Sequence, residues 1–149
     1  MFCSALLFAC GGGSGDTNNG NEKKEEPAKK HADEGKGVGE FKEVALNNPL
    51  NTDMVGKGKA IYDMKCSACH KLTDQRVVGP GWKGVTSRRK PEWIMNMTTN
   101  VEVMLEKDPA AQALLKECLV RMPNQNLTAG DARDILEFML ANDGGTAPK

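Results

Sequence analysis

Several absences narrow what this chain can be. It has no net charge, since 20 basic residues balance 20 acidic ones. The balance divides unevenly, with net −2 over Gly11–Glu43 and net +2 over Val44–Lys149. Neither value suits a nucleic-acid binder, and no basic arm is interleaved with aromatic residues, so no nucleic-acid partner is expected. No apolar run is long enough to span a bilayer. There is no convincing strand pattern and no internal repeat. From Gly11 to about Gly39 almost nothing is apolar. Such a segment cannot bury enough surface to offset its ordering entropy and reads as a flexible tether. Histidine is scarce: the chain has His31 in that tether and His70. What remains, roughly Val44–Asn142, suffices for one small core, and a core of that size benefits from a covalent or cofactor staple.

The first residues, "MFCSALLFACGGG", are apolar from Phe2 to Ala9 and resemble the end of a secretory signal. Leu7-Phe8-Ala9-Cys10 resembles a bacterial lipobox, with the cysteine as the lipid acceptor and a polar, Gly-rich stretch after it. No Lys or Arg precedes this short run, which reads as the tail of a longer signal. The expected organisation is a signal over 1–9, a tether anchored to a membrane through Cys10 over 10–43, a domain over 44–143 and a tail over 144–149. The domain is then exported, in the periplasm or cell envelope.

Within the domain the punctuation is helical. Asn51 or Thr52 can cap a helix that has Asp53 in its first turn. Gly56 and Gly58 lie inside it and each costs helix propensity, so each needs a reason. Tyr62 and Cys66 follow Gly58 at one-turn intervals and share its face. The stretch after His70, through "SRRK" at Ser87–Lys90, has no sustained period and reads as solvated loop. Pro91 opens a helix at its first position, and Asp108-Pro109 repeats the device. Thr128 with Asp131 forms a capping-box pattern before a last helix whose apolar stripe is Ile135, Leu136, Phe138 and Met139. The expected class is all-α.

The chemistry is concentrated in "KCSACHK", Lys65–Lys71. A zinc site needs four ligands, usually two separated pairs, and only one pair exists here. Cys118 would have to join His70 or His31, and His70 directly follows Cys69. A thioredoxin-like dithiol belongs at a helix N-terminus in a βαβ setting, whereas this CxxC closes a helix in a chain without strands. Covalent haem uses all three residues. Thioether bonds from Cys66 and Cys69 fix the porphyrin edge, and His70 lies beneath the iron.

With these residues in order, the chain resembles the class I c-type cytochromes over roughly Asp53–Asn142. The resemblance implies a cytochrome c fold with one covalent haem c. "GKAIYDMKCSACH" is similar to the family's N-terminal helix, which crosses the C-terminal helix. Gly58 would allow backbone contact there, and Tyr62 would pack on Phe138. "VGPGW" implies a Pro80 carbonyl that accepts the His70 Nδ1–H, and Trp82 and Trp93 would pack around the haem. Methionine candidates for the second axial ligand are Met54, Met64, Met95, Met97, Met104, Met122 and Met139. The family's "MP" loop before the last helix singles out Met122. A propionate donor is implied among Trp93, Arg88 and Arg89. Cys118 reads as a buried small hydrophobe. "KPEWIMNMTTNVEVMLEKDPAAQALLKECLVRMPNQNLT" is similar to small lipoprotein cytochromes of Bacteroidetes-type bacteria, some of which accompany nitrous-oxide reductase systems.

The function these features imply is single-electron transfer between a membrane donor and a soluble or membrane acceptor, rather than catalysis. A tether of this composition reaches roughly 30 Å. Arg76, Lys83, Arg88, Arg89, Lys90 and Arg121 are candidates for a basic ring around the haem edge that meets an acidic partner. Two other readings stand beside this one. One is a haem sensor or haem enzyme with an open sixth position. The other is an interaction module held by a CxxC disulfide, without haem.

Overall fold

The structure, a computed structural model, describes residues 35–145. The expected signal, Cys10, His31, the tether before residue 35 and tail residues 146–149 lie outside the described residues. Six helices follow in order: α1 (Thr52–Lys65), α2 (Val85–Arg88), α3 (Pro91–Thr99), α4 (Val101–Lys107), α5 (Pro109–Cys118) and α6 (Ala129–Asn142). Among the described residues there is no strand, only an isolated antiparallel bridge between His70 and Arg76. No described helix is long and apolar enough to cross a membrane.

The frame is α1 against α6, the most extensive contact between helices. Asn51 caps α1, its side chain accepting from the backbone N–H groups of Asp53 (3.0 Å) and Met54 (3.1 Å). Thr128 and Asp131 cap α6 reciprocally, as the capping-box pattern implies. The two glycines of α1 prove different in kind. A Cβ on Gly58 would lie 2.0 Å from the Asp134 carbonyl oxygen and 2.8 Å from the Phe138 Cβ, so the helix backbones meet there. A Cβ on Gly56 would meet nothing within 4 Å. Above the contact the Tyr62 and Phe138 rings are 5.5 Å apart, and Tyr62 also lies 5.0 Å from Trp82. The stripe Ile135, Leu136, Phe138 and Met139 is buried.

Helices α3, α4 and α5 build the other side of the domain. Asp108 caps α5, its Oδ1 accepting from the Ala111 N–H at 2.7 Å. The chain leaves α5 at Cys118 through Leu119, a left-handed residue (φ 61°).

Two features depart from the sequence reading. First, the tether was expected to extend to residue 43, but its last part is a strap packed on α3 and α4. The fully buried Asn96 accepts from Phe41 N–H (3.1 Å), and its amide donates to the carbonyls of Lys36 (3.0 Å) and Phe41 (2.9 Å). The Met104 sulfur accepts from Val38 N–H (3.0 Å). Gly39 is required here, since a Cβ would lie 2.1 Å from Asn96 Oδ1. Second, the expected loop 71–90 contains α2. Its cap comes from far along the chain: Asp143 accepts from the N–H groups of Gly84 (2.6 Å) and Thr86 (3.0 Å) and from the Thr86 hydroxyl (2.7 Å).

The loop before α1 is fastened by a buried carboxylate on α6. Glu137 Oε1 accepts from Asn51 N–H (2.7 Å) and from the Asn47 amide (3.0 Å), and Oε2 pairs with Arg133. Burial pushes the Glu137 carboxyl up. The backbone donor, the Arg133 guanidinium and the Asn47 amide outweigh that and hold it below its usual value.

The glycine pair gives a direct test. Gly58→Ala forces the two helices apart and costs about 1–3 kcal/mol, as overpacking does. Gly56→Ala, in open space, gains about 0.5–1 kcal/mol from helix propensity. Denaturant midpoints of the two variants should move in opposite directions, and a shared direction contradicts the contact described.

Candidate functional site

Helix α1 ends where the chemistry begins. The turn after Lys65 carries Cys66 N–H and Ser67 N–H back to the Tyr62 carbonyl (both 2.9 Å). Cys69 and His70 N–H then both reach the Cys66 carbonyl (3.1 and 2.9 Å). One tight turn therefore sets Cys66, Cys69 and His70 together, as the local spacing requires. The Tyr62 hydroxyl donates to the His70 carbonyl at 2.7 Å, tying the turn to the α1–α6 frame.

Beyond His70 the chain runs out and returns beside itself. Gly79 N–H reaches the Cys69 carbonyl (3.0 Å) and Trp82 N–H reaches the Lys71 carbonyl (2.8 Å). This return brings the Pro80 carbonyl to the imidazole, where it accepts from His70 Nδ1–H at 2.8 Å. A carbonyl only accepts, so the proton sits on Nδ1 and Nε2 keeps its lone pair for a metal. Burial lowers the His70 pKa and the Pro80 bond partly restores it. Gly79 lies flat against the ring: a Cβ there would come 2.3 Å from Cε1 and 2.7 Å from Nδ1.

His70 and Cys69 line a cavity of about 480 Å³ with predominantly apolar walls. Its size and lining suit a cofactor-sized ligand. On the His70 side the wall is Gly79–Trp82, with the His70 and Trp82 rings 5.6 Å apart. Leu114, Leu115 and Cys118 of α5 and then Val120–Pro123 also line the cavity. Helices α2 and α3 contribute Val85, Arg88, Trp93, Ile94 and Met97, with Arg89 beside them, and α6 contributes Met139. Cys66 is not among the wall residues. It is buried in the adjoining core, and that burial pushes its thiol up to about 11. No disulfide joins Cys66, Cys69 and Cys118.

The methionine candidates separate by position. Met64 is exposed, Met54 accepts from Asn47, Met95 is buried in the core, and Met104 accepts from Val38. Only Met97, Met122 and Met139 line the cavity. Met97 and Met139 are within α3 and α6. Met122 is in irregular chain between α5 and α6. Among the described residues no three His, Cys, Asp or Glu side chains converge in a way that could hold a metal, so a zinc-type donor set is missing there.

Trp93 is less available than the sequence suggested. Its indole N–H donates to the buried Asp108 Oδ1 at 2.9 Å, which removes it as a donor into the cavity. Asp108 Oδ2 is buried without a hydrogen-bond partner. The Arg89 guanidinium lies 4.7 Å from the Trp93 ring centroid. Arg88 donates to the carbonyls of Lys83 and Gly81 and keeps further N–H groups at the wall. The contacts of Gly79 with His70, of Asp108 with Trp93 and of Asp143 with α2 escaped the sequence reading because each joins positions well apart in the chain. Only the Gly-Pro-Gly around Pro80 hinted at close backbone approach.

The cytochrome c family model matches residues 55–143, more than half of the chain. Cytochrome c from Rhodothermus marinus is 31% identical and superposes with a TM-score of 0.69. The match covers 72% of this chain and 92% of that protein. An engineered form of the same protein matches at 31% identity and a TM-score of 0.67, over 70% of this chain and 90% of that one. The cytochrome c domain of a Pseudomonas putida protein matches at 27% identity and a TM-score of 0.50, over 56% and 85%. Among curated proteins no sequence matches. The chain belongs to the cytochrome c family, as a class I member with an all-α cytochrome c fold. Its cofactor is one covalently attached c-type haem, and it is a haem-binding electron carrier. The cavity fits that group: it is apolar, Cys69 and His70 of the CxxCH turn line it with Cys66 buried in the adjoining core, and the histidine holds its proton on Nδ1 with Nε2 left for a metal.

The Gly79 contact is testable. Gly79→Ala pushes the imidazole off the Pro80 carbonyl and costs the folded protein about 1–3 kcal/mol. It should also perturb the visible spectrum of the ferric protein. An unchanged melting point with an unchanged spectrum contradicts this placement.

Proposed function

We propose that His70 Nε2 and the Met122 sulfur are the two axial ligands. Cys66 and Cys69 form the thioether bonds, and the protein passes single electrons in an exported respiratory chain. The observation that carries this reading is the shared cavity. His70, with Nδ1 fixed by Pro80, is on one wall, and Met122, outside any helix, is on another. His/Met ligation gives a higher potential than bis-His. The chain's own contribution is to hold the imidazole tautomer, exclude water with Trp82, Leu105 and Ile94, and offer Arg88 and Arg89 to the anionic propionates. With Trp93 committed to Asp108, these two arginines are the better propionate partners.

The mouth of the cavity supports docking of a redox partner. Val77, Val78, Leu119 and Val120 are exposed, and Val78 and Val120 also line the wall. Of the expected basic ring, Arg88, Arg89 and Arg121 reach the cavity, while Arg76 is paired with Glu117. An apolar centre with a cationic rim suits brief, salt-sensitive encounters with an acidic partner. The lipobox-like N-terminus supports export and membrane anchoring through Cys10, which places the domain between a membrane donor and a soluble or membrane acceptor. The resemblance of residues 90–128 supports a terminal reductase, such as nitrous-oxide reductase, as that acceptor.

The test is the optical spectrum of haem-loaded protein beside Met122→Ala. The wild type should show the weak far-red charge-transfer band of sulfur on ferric iron, and the variant should lose it. Its reduction potential should fall by more than about 0.1 V. A wild type without that band turns the reading toward a sensor or enzyme with an open sixth position.

A further inference from the structure

The two sides of the cavity are fastened very differently. The His70 side has a run of backbone hydrogen bonds and the Tyr62 hydroxyl. The Met122 side leaves α5 at Cys118 and rejoins regular structure only at α6. Within that stretch the bonds of Asn124–Asn126 and Gln125–Pro123 are local, Leu119 N–H closes the last turn of α5 on the Leu115 carbonyl (2.9 Å), and one tie reaches another helix, from Lys65 Nζ to the Gln125 carbonyl (2.9 Å). Behind it is a second cleft of about 650 Å³, lined by Glu102 and Glu106 of α4 and by Arg121–Asn124. Met122 is therefore part of a thin wall between two spaces, and its loop has room to move.

The start of that loop is held by one side chain from the chain segment that follows His70. Arg76 forms the isolated backbone bridge with His70. Its guanidinium reaches across to the last two residues of α5, 2.7 Å to Glu117 Oε2 and 3.7 Å to Cys118 Sγ. Both of those residues immediately precede Leu119, the left-handed residue that turns the chain toward Met122.

We propose that Arg76 is a positioning residue for the sixth ligand. By clasping the end of α5 to the His70 loop it holds the Met122 loop closed and sets how readily Met122 yields to an external ligand. The proposal rests on the His70/Met122 assignment. The pair is half exposed, with side-chain exposures of 42% and 58%. Its effect is therefore modest, about two- to five-fold in an equilibrium, and it is screened by salt.

The experiment is imidazole titration of the ferric holoprotein, followed by loss of the far-red band, together with amide hydrogen exchange over residues 119–127. Arg76→Gln and Glu117→Gln should each raise imidazole affinity about two- to five-fold and speed exchange in the loop, with little change in the unfolding midpoint. The charge swap Arg76→Glu with Glu117→Arg should restore both readouts, and 1 M salt should bring the wild type to the level of the variants. Lys59→Gln removes another exposed ion pair, Lys59–Asp63 on α1 (2.6 Å), and should change neither readout. Unchanged imidazole affinity and exchange in the Arg76 and Glu117 variants overturn the proposal. An equal change in Lys59→Gln also overturns it. If the wild type lacks the far-red band, the Met122 assignment fails instead, and loop exchange alone then decides whether Arg76 holds the loop.

Discussion

The cavity of about 480 Å³ is the constraint around which the other features of this domain fall into place. Protein interiors are close-packed, and apolar walls left facing water forfeit the burial that stabilises a small domain. The helices that border the space are short, and several present their apolar side chains to it rather than to one another. A haem attached through the CxxCH turn would supply the missing interior surface, and would then be part of the core as well as the redox centre.

The rest of the fold can be ordered by its distance from that space. The α1–α6 contact at Gly58 is the rigid frame, and Tyr62 extends it to the His70 carbonyl. From there the Pro80 carbonyl fixes the imidazole, and Gly79 lets the chain pass close enough to do so. Asp143 returns from the end of α6 to cap α2, which sets Arg88 and Arg89 at the wall. The strap over residues 36–41 braces α3 through Asn96 and α4 through Met104, while Trp93, Ile94 and Met97 of α3 line the cavity. The loop carrying Met122 is held by far fewer bonds. This asymmetry gives His70 a fixed geometry and leaves Met122, the second axial ligand proposed above, room to respond.

What the sequence made legible was local. The spacing of Cys66, Cys69 and His70 already specifies one turn, and Thr128 with Asp131 specifies a helix start. Gly58, Tyr62 and Phe138 were legible only through resemblance, because their meeting joins positions about 80 residues apart. The strap was misread for a physical reason. A glycine that permits close approach, such as Gly39 against Asn96, looks in sequence like a glycine that permits flexibility. Helix α2 was missed because its cap is Asp143, too far along the chain for any local pattern to reveal. Trp93 was open to the wrong role, since nothing near it in sequence announces Asp108 as its acceptor.

The central claim is that the haem completes the core, and it can be tested without any redox measurement. The most direct experiment compares the holoprotein with the same chain made without haem attachment, by near-ultraviolet circular dichroism and thermal unfolding. The account predicts that the haem-free chain keeps much of its helix content but loses fixed aromatic signals and cooperative melting. A haem-free chain that melts cooperatively at the temperature of the holoprotein would contradict it.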